Sequence, residues 1–200
     1  MQTLEFWMTA GSTYTYLSVN RIGAMTAQAG VRLRLRPFYL GRIFREDGFW
    51  PFHPGTARTT YMWRDIARLA CERGLRPKLP APYPAPATER ANRVVWAAEE
   101  QQRGLAVLHA AYRAWFECGH LPGDEPSVTQ SLRAAGLDPT AILSRADSPE
   151  AEAALTAATA EARARGIFGS PTFVVGDELF WGDDRLPQAI AHAVRPAQEG

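Results

Sequence analysis

Gly169-Ser170-Pro171-Thr172-Phe173-Val174-Val175-Gly176-Asp177-Glu178-Leu179-Phe180-Trp181 is the stretch whose reading decides the fold. Two short runs of β-branched and aromatic residues, Pro171–Val175 and Glu178–Trp181, flank Gly176-Asp177, and a glycine-containing pair between such runs predicts a β-hairpin with a two-residue turn. Pro171 stands directly ahead of the first strand with small residues before it, which suits a cis Ser170–Pro171 bond. A final helix is predicted from about Leu186 to Val194. The end of the chain therefore reads as strand, strand, helix.

The beginning of the chain complements it. Leu4–Thr9 is an apolar and aromatic run suited to a buried strand, and Ala10-Gly11-Ser12-Thr13 then supplies small polar residues able to cap a helix. One helix is predicted from there to Gly30, with Tyr16, Leu17, Val19, Ile22, Ala24 and Met25 mostly on one face. Val31, Leu33 and Leu35 alternate with Arg32, Arg34 and Arg36, the period-2 pattern of a half-buried strand. Strand, helix and strand at this spacing make a right-handed parallel βαβ unit. Joined with the terminal ββα unit, it predicts a four-stranded mixed sheet in the thioredoxin arrangement, an α/β fold.

Between these halves, residues 41–166 contain no convincing strand. Helices are predicted at Ala57–Arg73, Thr88–Arg103, Leu105–Cys118, Ser127–Ala135, Thr140–Arg145 and from Ser148 to Gly166. The last opens with Ser148 as cap, Pro149 at its first position and Glu150 in its first turn. Pro77–Pro86 holds prolines at alternate positions over much of its length, so it is predicted to be extended and to cross between helices. The domain reading is a thioredoxin-like unit from residues 1–40 and 167–200, with an all-helical subdomain, 41–166, inserted in it.

Composition narrows the function. With 22 basic and 21 acidic residues the formal charge is +1, which provides no global field for a polyanion and argues against nucleic acid as the main partner. No signal-like leader opens the sequence and no apolar run approaches the length of a membrane helix, so a cytoplasmic protein without a membrane partner is expected. Cys71 and Cys118 form no C-x-x-C pair and no metal-ligand spacing, so both are read as buried or bystander thiols and no metal is expected.

Redox members of the thioredoxin fold place C-x-x-C at the start of the first helix, where the helix dipole lowers a thiol pKa. Here that position reads Ser12-Thr13-Tyr14-Thr15. Exchange through the usual dithiol is excluded, while Ser12 can be a helix cap or a group that stabilises a thiolate brought by a ligand.

Three segments carry a resemblance to a known family: Phe6-Trp7 through Ser12-Thr13-Tyr14-Thr15-Tyr16-Leu17; Arg36-Pro37-Phe38-Tyr39-Leu40-Gly41; and Gly166-Ile167-Phe168-Gly169-Ser170-Pro171-Thr172-Phe173 continuing to Phe180-Trp181-Gly182-Asp183-Asp184-Arg185-Leu186. Tyr61-Met62-Trp63-Arg64-Asp65-Ile66 is a weaker fourth. With these the chain resembles the 2-hydroxychromene-2-carboxylate isomerases and kappa-class glutathione transferases, a DsbA-like branch of the thioredoxin superfamily. The resemblance implies glutathione, or a related low-molecular-weight thiol, as cofactor. It assigns Ser12 as the active-site serine that contacts the sulfur. Ser170, before Pro171, would bind the cysteinyl part through its backbone. Trp181-Gly182-Asp183-Asp184 would hold the γ-glutamyl end, with Asp184 or its neighbour Asp183 pairing with the α-ammonium, or else capping the last helix. Arg45, His53 and Tyr83 fall near the positions that contact an aromatic acid substrate, and Arg45 and Arg58 are candidates for its carboxylate. His53 reads equally well as a surface histidine.

Three departures bear on the substrate. Thr13 replaces a proline, Ala87 stands before Thr88 where an asparagine is common, and an arginine replaces a lysine near the first inserted helix. The leading expectation is a glutathione-dependent isomerase acting on an intermediate of aromatic-compound degradation by reversible thiolate addition. A kappa-like transferase or peroxidase on hydrophobic electrophiles is the alternative, and a non-catalytic thiol-peptide binding protein a third reading. Relatives are commonly dimers, so a homodimer is a further expectation.

Overall fold

The computed structural model describes residues 2–195. Four strands, β1 (Thr3–Met8), β2 (Arg32–Pro37), β3 (Thr172–Val175) and β4 (Glu178–Trp181), form one sheet in the order β2-β1-β3-β4. β1 and β2 are parallel, with Phe6 beside Leu35, and β3 runs antiparallel to β1, with Phe173 beside Phe6. β3 and β4 form the predicted hairpin, Thr172 facing Trp181 across it. The βαβ and ββα units thus meet as the sequence implied. The Ser170–Pro171 bond is cis.

The predicted first helix is two: α1 (Thr15–Val19) and α2 (Ile22–Gln28). The chain breaks at Asn20-Arg21 because side chains there compete for the backbone. Asn20 Nδ2 donates to the Tyr16 carbonyl, and Arg21 leaves helical geometry to reach Asp183. A helix the sequence reading lacked, α3 (Leu40–Glu46), follows β2 and buries Leu40 and Ile43. They join Trp7, Phe38, Ala162, Ile167 and Val174 in a core under one face of the sheet.

The inserted helices are α4 (Ala57–Glu72), α5 (Thr88–Glu99), α6 (Gly104–Cys118), α7 (Ser127–Ala134), α8 (Pro139–Ala146) and α9 (Pro149–Ala164). Their starts follow local chemistry. Thr56 and Ser148 accept from the backbone N–H three residues on, and Asp138 and Ser148 each precede a proline. α5 stops at Glu99 rather than Arg103, since the Glu99 carboxylate accepts from Gly104 N at 3.1 Å and caps α6. α10 (Leu186–Ala193) closes the fold after a 3-10 turn at Asp183–Arg185.

The larger core runs from Leu4, Phe6 and Met8 through Met62 and Ile66 of α4 to Trp115 and Phe116 of α6. It crosses from sheet to inserted helices without a break. The proline-rich segment is pinned as a crossing: Lys78 N donates to the Phe116 carbonyl, and Trp115 Nε1 donates to the Pro82 carbonyl at 2.7 Å. Cys71 and Cys118 are exposed free thiols, which removes the buried alternative for both. Among the described residues no helix is long and apolar enough to cross a membrane, and no cluster of three or more His, Cys, Asp or Glu is placed to hold a metal.

Candidate functional site

The turn from β1 into α1, Thr9–Tyr14, meets the turn before β3, Gly169–Pro171. Ser12 Oγ donates to the Ser170 carbonyl at 2.7 Å, joining residues 158 positions apart. The Ser170 hydroxyl accepts from Thr9 N at 3.0 Å and lies 2.8 Å from Thr15 Oγ1. Tyr112, fully buried on α6, donates to the Ser12 carbonyl at 2.7 Å and the Thr9 carbonyl at 3.1 Å. Asn92 on α5 accepts from Ala10 N at 2.8 Å and donates to Thr9 Oγ1 and the Phe38 carbonyl. Thr88, at the start of α5, lies against Gly11 so closely that a side chain on residue 11 would collide with it. Ser12 therefore sits on a turn held by α5, α6 and the turn before β3.

Ser12 is not at a helix terminus. α1 begins only at Thr15 and has five residues, so the macrodipole expected at Ser12 from a long first helix is small. The hydroxyl itself is the donor this turn presents. Thr13, in the place of the family's proline, donates to Met62 Sδ at 3.0 Å and ties the turn to α4.

Gly182 N donates to the Pro171 carbonyl at 2.9 Å, which sets the Trp181–Asp184 stretch beside the cis turn. Gly182 has φ +108, a conformation that L side chains rarely adopt. Trp181 is half-exposed, covers Gly169 and packs edge-on against Phe168 with centroids 4.8 Å apart. The two aspartates part company here. Asp183 is buried: Oδ1 accepts from Ser18 at 2.9 Å and pairs with Arg21 at 3.2 Å, while Arg73 lies 2.5 Å from Oδ2. Asp184 is exposed, with Arg185 of its own turn 3.5 Å away.

Aromatic pairs lie along Tyr14, α4 and the segments before and after it. Tyr14 packs on Phe52, Trp63 packs edge-on to Tyr83 at 6.0 Å, and Trp50 packs on Phe44. Tyr14 also donates to Asp65 at 3.0 Å; burial first and this carboxylate second push its phenol pKa up, so it is neutral at ordinary pH. Burial pushes the Tyr83 phenol up too, partly offset by a hydrogen bond with Trp50. His53, next to Phe52, is exposed, and its carbonyl accepts from Thr56 and Thr59. Arg58 is exposed and reaches the Pro51 carbonyl at 3.4 Å. Arg45, also exposed, pairs with Glu89 at 3.0 Å on the first turn of α5.

The structure thus brings Ser12, Ser170, Pro171, Trp181, Gly182 and Asp184 to one place and sets Tyr83 and the His53 loop among the aromatic pairs. Asp183, Arg45 and Arg58 have partners within the chain. Sequence reading missed Thr15, Asn92 and Tyr112; in Tyr112 a hydroxyl on an otherwise apolar helix face is the one signal that points to it. A cavity of about 520 Å³ lies at the opposite strand ends, lined by Thr3, Glu5, Arg32, Arg34, Arg165 and Gly176 among others, and does not include these residues.

Comparison with known proteins bears on the family and the fold. The 2-hydroxychromene-2-carboxylate isomerase of Sphingobium xenophagum is 26% identical over 188 residues, covering 92% of this chain and 94% of that protein. A solved 2-hydroxychromene-2-carboxylate isomerase superposes with TM-score 0.78 at 26% identity, covering 95% of this chain and 93% of that one. The cytosolic disulfide reductase DsbM of Pseudomonas aeruginosa, solved with GSH, shares the fold at TM-score 0.65 and 19% identity, covering 95% of this chain and 96% of its own. The model of the DSBA-like thioredoxin domain matches residues 3–193, and the chain belongs to that family.

Proposed function

We propose that this protein is a glutathione-dependent isomerase of the 2-hydroxychromene-2-carboxylate isomerase type. The observation that carries the reading is the 2.7 Å bond from Ser12 to the Ser170 carbonyl, at the position where redox relatives hold a dithiol and this chain has none. Both members of the bond have an alternative partner on a thiol tripeptide. Ser12 O–H is able to turn from the carbonyl to a thiolate, and the freed carbonyl to accept the ligand's cysteinyl N–H. One internal hydrogen bond is exchanged for two to the ligand, so the residues present fit glutathione.

Glutathione supplies a thiolate that adds reversibly to a conjugated double bond, so that the bond becomes single, rotates, and is restored when the sulfur leaves with its electron pair. The chain's own groups do the rest. Ser12 donates to the sulfur and holds it as the anion. Asp184, the exposed aspartate, exchanges Arg185 for the α-ammonium of the γ-glutamyl end. Tyr14, Phe52, Trp63 and Tyr83 offer a largely apolar wall for an aromatic substrate and keep water from the reacting carbon. Tyr14, kept neutral, orients through its ring rather than by charge.

Calorimetry with glutathione is the first test: absence of binding overturns the reading. Ser12→Ala is expected to keep the fold and to lower turnover about 10²- to 10³-fold, the cost of losing one donor to a developing anion. An absorbance assay on 2-hydroxychromene-2-carboxylate, run beside chlorodinitrobenzene conjugation, separates isomerase from transferase. Glutathione binding with turnover only in the second assay assigns the protein to the transferase side.

A further inference from the structure

Two buried hydroxyls brace the site in a way that the proposed chemistry does not by itself require. Ser12 Oγ donates to the Ser170 carbonyl, and the Ser170 hydroxyl, which accepts from Thr9 N, meets Thr15 Oγ1 at 2.8 Å. Tyr112 donates to the Ser12 carbonyl at 2.7 Å and the Thr9 carbonyl at 3.1 Å. Thr15 is fully buried and Tyr112 is 1% exposed, so water offers neither an alternative partner. Burial drives the Tyr112 phenol pKa far above its ordinary value, which keeps the group a donor throughout any working pH.

We propose that Tyr112 and Thr15 are positioning residues of the thiol site. Tyr112 comes from the inserted helices, yet its one hydroxyl spans both ends of the Thr9–Ser12 turn. Thr15 occupies the fourth place of the Ser12–Thr15 segment and fixes Ser170 through its side chain, leaving the Ser170 carbonyl aimed at Ser12. Tyr112 on the Ser12 side and Thr15 on the Ser170 side therefore set the spacing between the donor for a sulfur and the acceptor for the ligand's amide. That role accounts for a tyrosine hydroxyl and a threonine in a core that a phenylalanine and a valine would fill at lower desolvation cost.

This inference rests on the thiol-dependent reading above, and its test separates the two. The readout is the thiol pKa of bound glutathione, followed by thiolate absorbance near 240 nm, together with the split between kcat and glutathione affinity. In the unaltered protein the bound thiol is expected below the free value of about 8.5. Tyr112→Phe is expected to raise it toward that value and to lower kcat about five- to tenfold, with glutathione affinity changed less than threefold. Thr15→Val, nearly isosteric, is expected to act in the same direction and decides the matter if Tyr112→Phe does not fold. Ile142→Val on α8 serves as the control that lowers melting temperature and leaves the thiol pKa alone. Glutathione binding with a lowered thiol pKa that neither variant moves overturns the positioning role and leaves the reading standing. No glutathione binding by the unaltered protein overturns both.

Discussion

Asp183 and Asp184 are neighbours in the chain and do different work. The Asp183 side chain is 2% exposed and lies between Arg21 and Arg73, joining the α1–α2 break, the end of α4 and the turn after β4. Replacing one partner of such a group leaves the others partly buried and uncompensated, a loss of about 3 kcal/mol or more. Asp183→Asn is therefore expected to lower the urea midpoint of unfolding strongly. Asp184 is exposed and touches only its neighbour Arg185. Asp184→Asn is expected to leave the midpoint nearly unchanged and to weaken glutathione binding about 10-fold or more, the loss of one charged hydrogen bond. Calorimetry and denaturation on the two variants check both halves, and a stable Asp183→Asn protein with lost glutathione affinity would reverse the assignment. Adjacent acidic residues ahead of a helix permit either role in sequence. Which one turns inward depends on arginines over 100 residues away.

At the level of elements, α3 and the start of α5 are held by a charged cluster beside the Ser12 turn. Arg42 pairs with Glu89 at 2.6 Å and Glu152 at 2.8 Å and lies over the Tyr39 ring, while Arg93 reaches Glu152 at 3.3 Å. The Arg42 hydrogen bond holds the Glu89 carboxyl below its usual pKa, outweighing burial. A depressed folded-state value means the stabilisation is complete above the unfolded glutamate pKa of about 4.3 and is lost as pH falls through the folded value. The urea midpoint is thus expected to decline between about pH 5 and pH 3, and the difference between the native protein and Glu89→Gln to shrink over that same interval. A pH-independent difference would show that the ion pair does not set it. The cluster also accounts for the helix the sequence reading lacked. Leu40-Ile43-Phe44 has helical spacing but spans under two turns, too little to nucleate alone, and its order comes from α5 and α9 packed on either side.

At the scale of the molecule, the boundary drawn between residues 1–40 with 167–200 and the segment 41–166 falls inside α3 at Leu40, and the larger core runs across it. Leu4 and Phe6 share one buried cluster with Met62, Val94 and Trp115, and Tyr112 of the insertion grips the turn that bears Ser12. A single cooperative transition is expected, with coincident far-ultraviolet circular dichroism and tryptophan fluorescence curves. A chain joining 1–40 to 167–200 by a short linker is expected not to fold, since it would expose the face that the helices cover. Two separated transitions, or a folded minimal chain, would establish independent domains instead.

Much of this was legible in the residues themselves. The β3–β4 hairpin, the alternation of β2, the capped start of α9, and the cysteine-free Ser12–Thr15 segment depend on neighbours a few positions away, and local periodicity and capping express them directly. That information sufficed for the sheet and its mixed topology. Only the tertiary structure decided that the first helix breaks at Asn20-Arg21, that Asp183 turns inward while Asp184 stays exposed, and that Tyr112 and Asn92 hold the Ser12 turn. Each of these is a contact between polar groups far apart in the chain. Its energy comes from desolvation and partnership in a shared interior, which no local pattern encodes.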